Sequence, residues 1–141
     1  MNWLLDTCVI SELIKPRRDP NVIAWLDRCD ERRLYLSVLT IGELQKGISK
    51  LSNGPRKTEL HDWVDHELTD RFSARLLGIT ISIAVIWGKM QGNAERNGEC
   101  LPVIDSLLAA TAAVHNLIIV TRNIRDLERC GARVFNPWDL K

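Results

Sequence analysis

With 141 residues, 45% of them hydrophobic and 26% charged, the chain is long enough for one domain with a packed core and cramped for two. Nineteen lysines and arginines against 18 acids leave a net charge of +1, so nucleic-acid binding would need a local basic patch rather than overall charge. The four cysteines form no C-x-x-C pair, which argues against a zinc ribbon or redox motif and suits buried free thiols in a reducing compartment. No apolar run approaches the roughly 18 residues of a membrane span, and the start lacks the basic and apolar regions of a secretion signal, so a cytoplasmic protein is expected.

Trp3 to Leu5 is a short apolar run that ends in Asp6 and Thr7 before Val9 to Ile14 takes up a helical pattern. Asp6 therefore sits at the carboxyl end of a first strand, the edge where open α/β sheets bind ligands. Taken alone, Asp6 is as simply read as a turn or cap residue. Pro16, Arg17 and Arg18 break the first helix. Asp19 and Pro20 then supply a cap and a first-position proline for a second helix running to about Cys29, with Val22, Ile23, Trp25 and Leu26 as its apolar face.

Leu34 to Ser37 reads as a second strand, and Ser37 caps a helix whose apolar positions Val38, Ile41 and Leu44 fall three apart. Glu43 lies about two turns into it. Lys46 and Lys50 follow on much the same side, placed either to pair with Glu43 or to reach a phosphate. A solvated surface residue is the plain account of each. Ser52 to Pro55 is the strongest loop signal in the chain. Leu60, Trp63, Val64 and Leu68 then mark an amphipathic segment, whose His61 and His66 point to different faces, against a shared metal.

Leu76 to Ile81 is a short apolar stretch, and Ser82 caps a helix carrying Ala84, Val85, Trp87, Met90 and Ala94 that ends near Asn97 and Gly98. The next helix runs from Pro102 to Asn116, which can take the left-handed conformation that closes a helix. Asp105 stands in its first turn, where the helix dipole alone would favour an acid. Ala109, Ala112 and Ala113 below it make a small-residue face. Leu117 to Val120 is a β-branched-rich run of the kind covered on both faces in a parallel sheet. Thr121 to Leu127 is a loop with a short helical turn, and Arg133 to Trp138 gives a last edge strand stopped by proline.

Strand, helices, strand, helices, strand make a doubly wound α/β sandwich. In that fold Asp6, the region around Glu43, the first turn of the Asp105 helix and the loop from Thr121 to Asp126 can share one rim. Carboxylates brought together need a cation, and an oxygen-only ligand set favours a hard one, Mg²⁺ or Mn²⁺.

Four stretches carry these acids in order: LLDTCVIS (residues 4–11), SVLTIGEL (37–44), IDSLLAATA (104–112) and VTRNIRD (120–126), closed by VFNPW (134–138). Together they resemble the signatures of PIN-domain ribonucleases, most nearly VapC-type toxins of bacterial toxin–antitoxin pairs in their FitB-like branch, over the whole chain. The resemblance implies a single PIN domain over residues 1–141, an α/β/α sandwich with a central, mainly parallel sheet flanked by helices. It also implies a Mg²⁺-dependent endoribonuclease, with Mn²⁺ as an alternative ion, restrained by a small VapB-like antitoxin and forming a homodimer.

By matching position, Asp6, Glu43 and Asp105 are then the catalytic, metal-binding acids. Two residues depart from the pattern: Cys8 replaces the asparagine usual after Asp-Thr, and Asn123 stands where many members carry a fourth acid. Asp126 either serves as that catalytic acid or pairs with Arg122 or Arg129. Lys46, Lys50, Arg122, Arg125 and Asn123 are the expected substrate-binding residues, and Trp25 is either an anchor for an antitoxin helix or plain core. An aspartyl-nucleophile phosphatase would need an acid two residues after Asp6, where Cys8 stands, and a receiver domain would need an acid pair at the first strand. A non-catalytic RNA- or antitoxin-binding module with a weakened metal site is the alternative that stays open.

Overall fold

The structure is a computed structural model that describes residues 1–140. The short apolar runs become strands Trp3–Leu5 (β1), Leu34–Ser37 (β2), Leu76–Leu77 (β3), Ile118–Val120 (β4) and Val134–Phe135 (β5). They form one sheet in the order β3-β2-β1-β4-β5 with every ladder parallel. Trp3 pairs with Leu34 on one side and with Ile118 on the other. From β1 the chain winds outward to β2 and β3, then returns to β4 on the opposite side, so the winding reverses between β1 and β4. That reversal opens a crevice at the carboxyl ends of these two central strands.

The helices are Thr7–Leu13 (α1), Pro20–Arg28 (α2), Val38–Ser49 (α3), Pro55–Asp62 (α4), the single turn Thr69–Arg71 (α5), Ile81–Arg96 (α6), Val103–His115 (α7) and Ile124–Arg129 (α8). Successive strand residues point to opposite faces, and β1 shows the consequence. Leu5 packs with Val9, Ile10, Val22, Leu36, Leu44 and Val120 on one side, whereas Leu4 packs with Leu108, Ala112, Ile119 and Leu127 on the other. α1 to α4 thus cover one face, and α7 and α8 the other, as the expected α/β/α sandwich. Of the small-residue face below Asp105, Ala109 is buried in a third cluster with Ala94, Leu101 and Cys130, and Ala112 lies under the sheet, while Ala113 is exposed. Asn116 ends α7 with φ +55°, as a left-handed cap.

Several local expectations are corrected. α6 is capped by Thr80, whose extended backbone lets its hydroxyl accept the Ile83 amide at 3.3 Å, so Ser82 falls inside the first turn. The amphipathic segment widens into a π-helical stretch over Trp63–Leu68, where the Thr69 hydroxyl reaches back to the Val64 carbonyl at 2.7 Å. Only Cys130 is a buried thiol; Cys8 and Cys29 are partly exposed and Cys100 is exposed. Trp25 is core and not an anchor, being 8% exposed and 5.2 Å from the ring centroids of both Trp3 and Phe135. Among the described residues no helix is long and apolar enough to cross a membrane.

One buried charge ties the α1–α2 connection together. Glu12 is 2% exposed and accepts the Asp19 amide at 3.0 Å and Lys15 Nζ at 3.1 Å. Burial disfavours its charge, but the Asp19 amide, Lys15 and the nearby Trp138 indole outweigh that and hold the carboxyl below its ordinary value of 4.5. Its contribution to stability is therefore complete above pH 4.5 and lost as pH falls through the lowered folded value. Glu12→Ala should cost about 1–3 kcal/mol at pH 7 in a denaturant titration, and progressively less as pH falls through the lowered folded value and the parent loses the charge too.

Candidate active site

The crevice at the reversal of the sheet is where the expected acids arrive. Asp6 continues the ladder beyond β1, its amide donating to the Val120 carbonyl at 3.0 Å, and it is the N-cap of α1. Asp6 is 8% exposed; its Oδ1 accepts the Thr7 amide and its Oδ2 the Thr121 hydroxyl, both at 2.8 Å. The Cys8 thiol lies 3.9 Å from the same Oδ2 as a weaker donor. Burial pushes the Asp6 carboxyl above its ordinary value and the Glu43 charge adds to this, while the Thr121, Thr7 and Cys8 hydrogen bonds partly offset it.

Glu43, on α3, is half-buried and turns away from the lysines suggested by spacing. It accepts the Thr7 hydroxyl at 2.6 Å, beside the fully buried Thr40 hydroxyl. Thr7 therefore orients both acids, Asp6 through its amide and Glu43 through its side chain. Asp105 stands half-buried in the first turn of α7, and its carboxylate accepts no hydrogen bond from the described residues. Burial raises its carboxyl first, then the charges of Asp6, Asp126 and Glu43 in that order. Asp6, Asp126 and Glu43 are therefore all within electrostatic reach of Asp105, and Glu43 also of Asp6. Asp126, in the first turn of α8, forms no ion pair with Arg122 or Arg129, although each was a candidate partner from spacing.

Asn123 precedes α8 and makes no side-chain cap; its amide donates to the Thr121 hydroxyl at 2.9 Å and its side chain is exposed. Thr121, itself fully buried, thus joins Asp6 to the loop that carries Asn123 and Asp126. The Arg122 amide donates to Cys8 Sγ at 3.5 Å, so the thiol links the first turn of α1 to the loop after β4. Lys46, Lys50 and Arg125 are exposed and pair with no acid among the described residues.

The turn that carries Asp105 is held from behind. Ser106 is fully buried and its hydroxyl accepts Trp87 Nε1 at 3.0 Å and Gln91 Nε2 at 2.9 Å from α6, while donating into the Pro102 carbonyl at 2.6 Å. The turn itself has no side-chain cap, since its N-cap residue is Pro102. Thr7, Thr121, Ser106, Trp87 and Gln91 had no assigned role in the sequence reading. A hydroxyl residue directly after Asp6 and directly after Asp105 was the visible signal for two of them.

Among the described residues no three acids, histidines or cysteines converge tightly enough, as the side chains stand, to enclose one ion. The donor set nevertheless suits a hard divalent cation: four oxygen acids with no ion pair among the described residues, two of them, Asp6 and Asp105, raised first by burial and then by neighbouring acidic charge that a cation would relieve. Cavity size does not mark this place. A cavity of about 760 Å³ lies elsewhere, between α1 and α4, lined by Leu13, Ile14, Arg56, Leu60, Trp63 and His66.

Fold and site together define a class: a parallel α/β/α sandwich with an acidic cleft at its switch point. The PIN-domain family model matches residues 3–132, and the chain belongs to that family. It is 36% identical to Toxin FitB of Neisseria gonorrhoeae over 135 residues, covering 96% of this chain and 97% of that protein. It is also 32% identical to VapC ribonuclease Y4jK of Sinorhizobium fredii over 136 residues, covering 96% and 97%. Among solved structures, that of FitAB bound to an IR36 DNA fragment superposes with a TM-score of 0.90 at 34% identity, covering 99% of this chain and 97% of the other.

Proposed function

We propose that the whole chain is one catalytic unit, a divalent-metal-dependent endoribonuclease that serves as the toxin of a toxin–antitoxin pair. The observation that carries this reading is the gathering of Asp6, Glu43 and Asp126 within electrostatic reach of Asp105 at the sheet's switch point. The likeness to a named toxin and a named VapC ribonuclease over nearly the full chain supports the reaction class. Mg²⁺ is the expected ion, with Mn²⁺ able to replace it.

When bound, a divalent cation supplies a water of lowered pKa and polarises the phosphate. Asp6, Glu43 and Asp105 would hold it, Glu43 directly or through water, and Asp126 would add a fourth negative charge near Asp105. Thr7 and Thr121 fix the Asp6 carboxylate so that it does not reorganise as substrate enters. Asn123 offers a neutral carbonyl beside the cleft, and Lys46, Lys50, Arg122 and Arg125 supply the local cations that a net charge of +1 does not. A small antitoxin and a second copy of the chain complete the assembly in the cytoplasm. The relatives' complex structure supports the antitoxin, and the exposed apolar residues Ile81, Val85, Ile86 and Val103 give a copy something to cover.

The test is cleavage of a single-stranded RNA by the purified chain, free of partner, as Mg²⁺ or Mn²⁺ is titrated. Cleavage should be absent in excess EDTA, rise with either ion and saturate. Undiminished cleavage in EDTA would remove the metal from the account, and no cleavage with any divalent ion would leave a binding module.

A further inference from the structure

The VFNPW segment has no place in the chemistry so far, yet its geometry reaches the cleft. Asn136 caps the closing turn by accepting the Trp138 amide at 2.9 Å, Pro137 is buried, and the Trp138 carbonyl accepts Asn21 Nδ2 at 3.3 Å. These contacts hold the indole half-buried against the core, with its N–H buried toward Glu12 and without a hydrogen-bond partner among the described residues. One ring face is covered by the Arg122 guanidinium, whose central carbon lies 4.6 Å from the ring centroid.

Arg122 is pinned at both ends of its reach. Its amide donates to Cys8 Sγ, and its neighbours Thr121 and Asn123 are tied to Asp6 through the Thr121 hydroxyl. The side chain is exposed, and no acid pairs with it among the described residues. Other arginines are spent internally: Arg32 on Asp30, Arg71 on Glu31, and Arg75 on the Glu31 and Leu34 carbonyls. A guanidinium held over an aromatic face with no acid on it keeps N–H donors free, and such donors suit a phosphate.

We infer that Trp138 is a positioning residue that presets Arg122 as a phosphate contact for the RNA strand entering the acidic cleft. The inference rests on the ribonuclease reading above. Holding the arginine in its working place before RNA arrives removes part of the ordering that a long free side chain would undergo on binding. The C-terminal segment is thereby part of the substrate surface and not only the edge of the sheet.

The experiment is binding of a short fluorescent single-stranded RNA to the full chain in EDTA, across a series of salt concentrations, for the parent, R122A, W138L, W138F and the R122A/W138L double variant. R122A should reduce the salt slope by about 0.7, one phosphate contact on a single strand. W138L should weaken binding about two- to fivefold, the range of an exposed cation–π contact, and W138F should recover most of that loss. In the R122A background W138L should add nothing, because a positioning residue acts only through what it positions. W138L binding as tightly as the parent, or losses in R122A and W138L that simply add, would overturn the inference and leave the ribonuclease reading intact. Unchanged RNA binding with weakened affinity for the antitoxin would overturn it in favour of a protein contact. A parent chain that neither binds nor cuts RNA would overturn both.

Discussion

Asp105→Asn should lower RNA cleavage by about 10²–10³-fold while leaving the metal-free chain at least as stable as the parent. The two halves come from the same geometry. Asp105 accepts no hydrogen bond among the described residues, so an amide of equal shape breaks nothing, and it fits the first turn of α7. Its carboxyl is raised by burial and then by Asp6, Asp126 and Glu43, so removing its charge relieves repulsion in the absence of a cation. Asp6→Asn should differ. Asp6 accepts the Thr7 amide and the Thr121 hydroxyl, so its replacement disturbs two hydrogen bonds along with the charge and should lower both activity and melting temperature. Cleavage rates and thermal melts in EDTA on the two variants separate a charge held for chemistry from one also used by the fold. An Asp105→Asn enzyme that cuts at the parent rate would remove Asp105 from the site.

The second large effect is expected at a residue that touches no substrate. Thr121→Val keeps the shape of a fully buried side chain but removes the hydroxyl that donates to Asp6 and accepts the Asn123 amide. Buried Asp6 and the part-buried Asn123 amide lose their partner, at a cost of about 1–3 kcal/mol. Asp6 loses its alignment and the loop bearing Asn123 and Asp126 loses its tie to β1, so cleavage should fall about 10- to 100-fold with a raised requirement for Mg²⁺. Thr121→Ser restores the hydroxyl and should recover both. A Thr121→Val enzyme with parental metal requirement would show that the hydroxyl serves the fold alone.

What the sequence disclosed is what period and punctuation can carry. Leu4 and Leu5 before Asp6, and the β-branched run before Thr121, announced two buried parallel strands, and their carboxyl ends locate the cleft. Pro102 and Asn116 bounded α7 and so put Asp105 in its first turn. What stayed hidden depends on contacts between elements distant in the chain. The Glu43 side chain answers to Thr7, 36 residues away, and not to the lysines on its own helix. Ser106 meets Trp87 and Gln91 across the α6–α7 interface, and Trp138 meets Arg122 across the sheet edge. Helix ends were missed where two hydroxyls competed, as with Thr80 and Ser82, because only the backbone angle at the cap decides between them. Trp25 was ambiguous for the same reason: an apolar ring on a helix face is core or anchor according to what lies opposite, and Trp3 and Phe135 lie opposite.

The central claim, that the acids at the switch point form one cation site, is tested most directly by titrating the chain with Mn²⁺ and following the free ion by electron paramagnetic resonance. The account predicts one site of defined affinity in the parent, weakened at least about tenfold in both Asp6→Asn and Asp105→Asn and competed away by Mg²⁺. Equal Mn²⁺ affinity in the parent and both variants would contradict it.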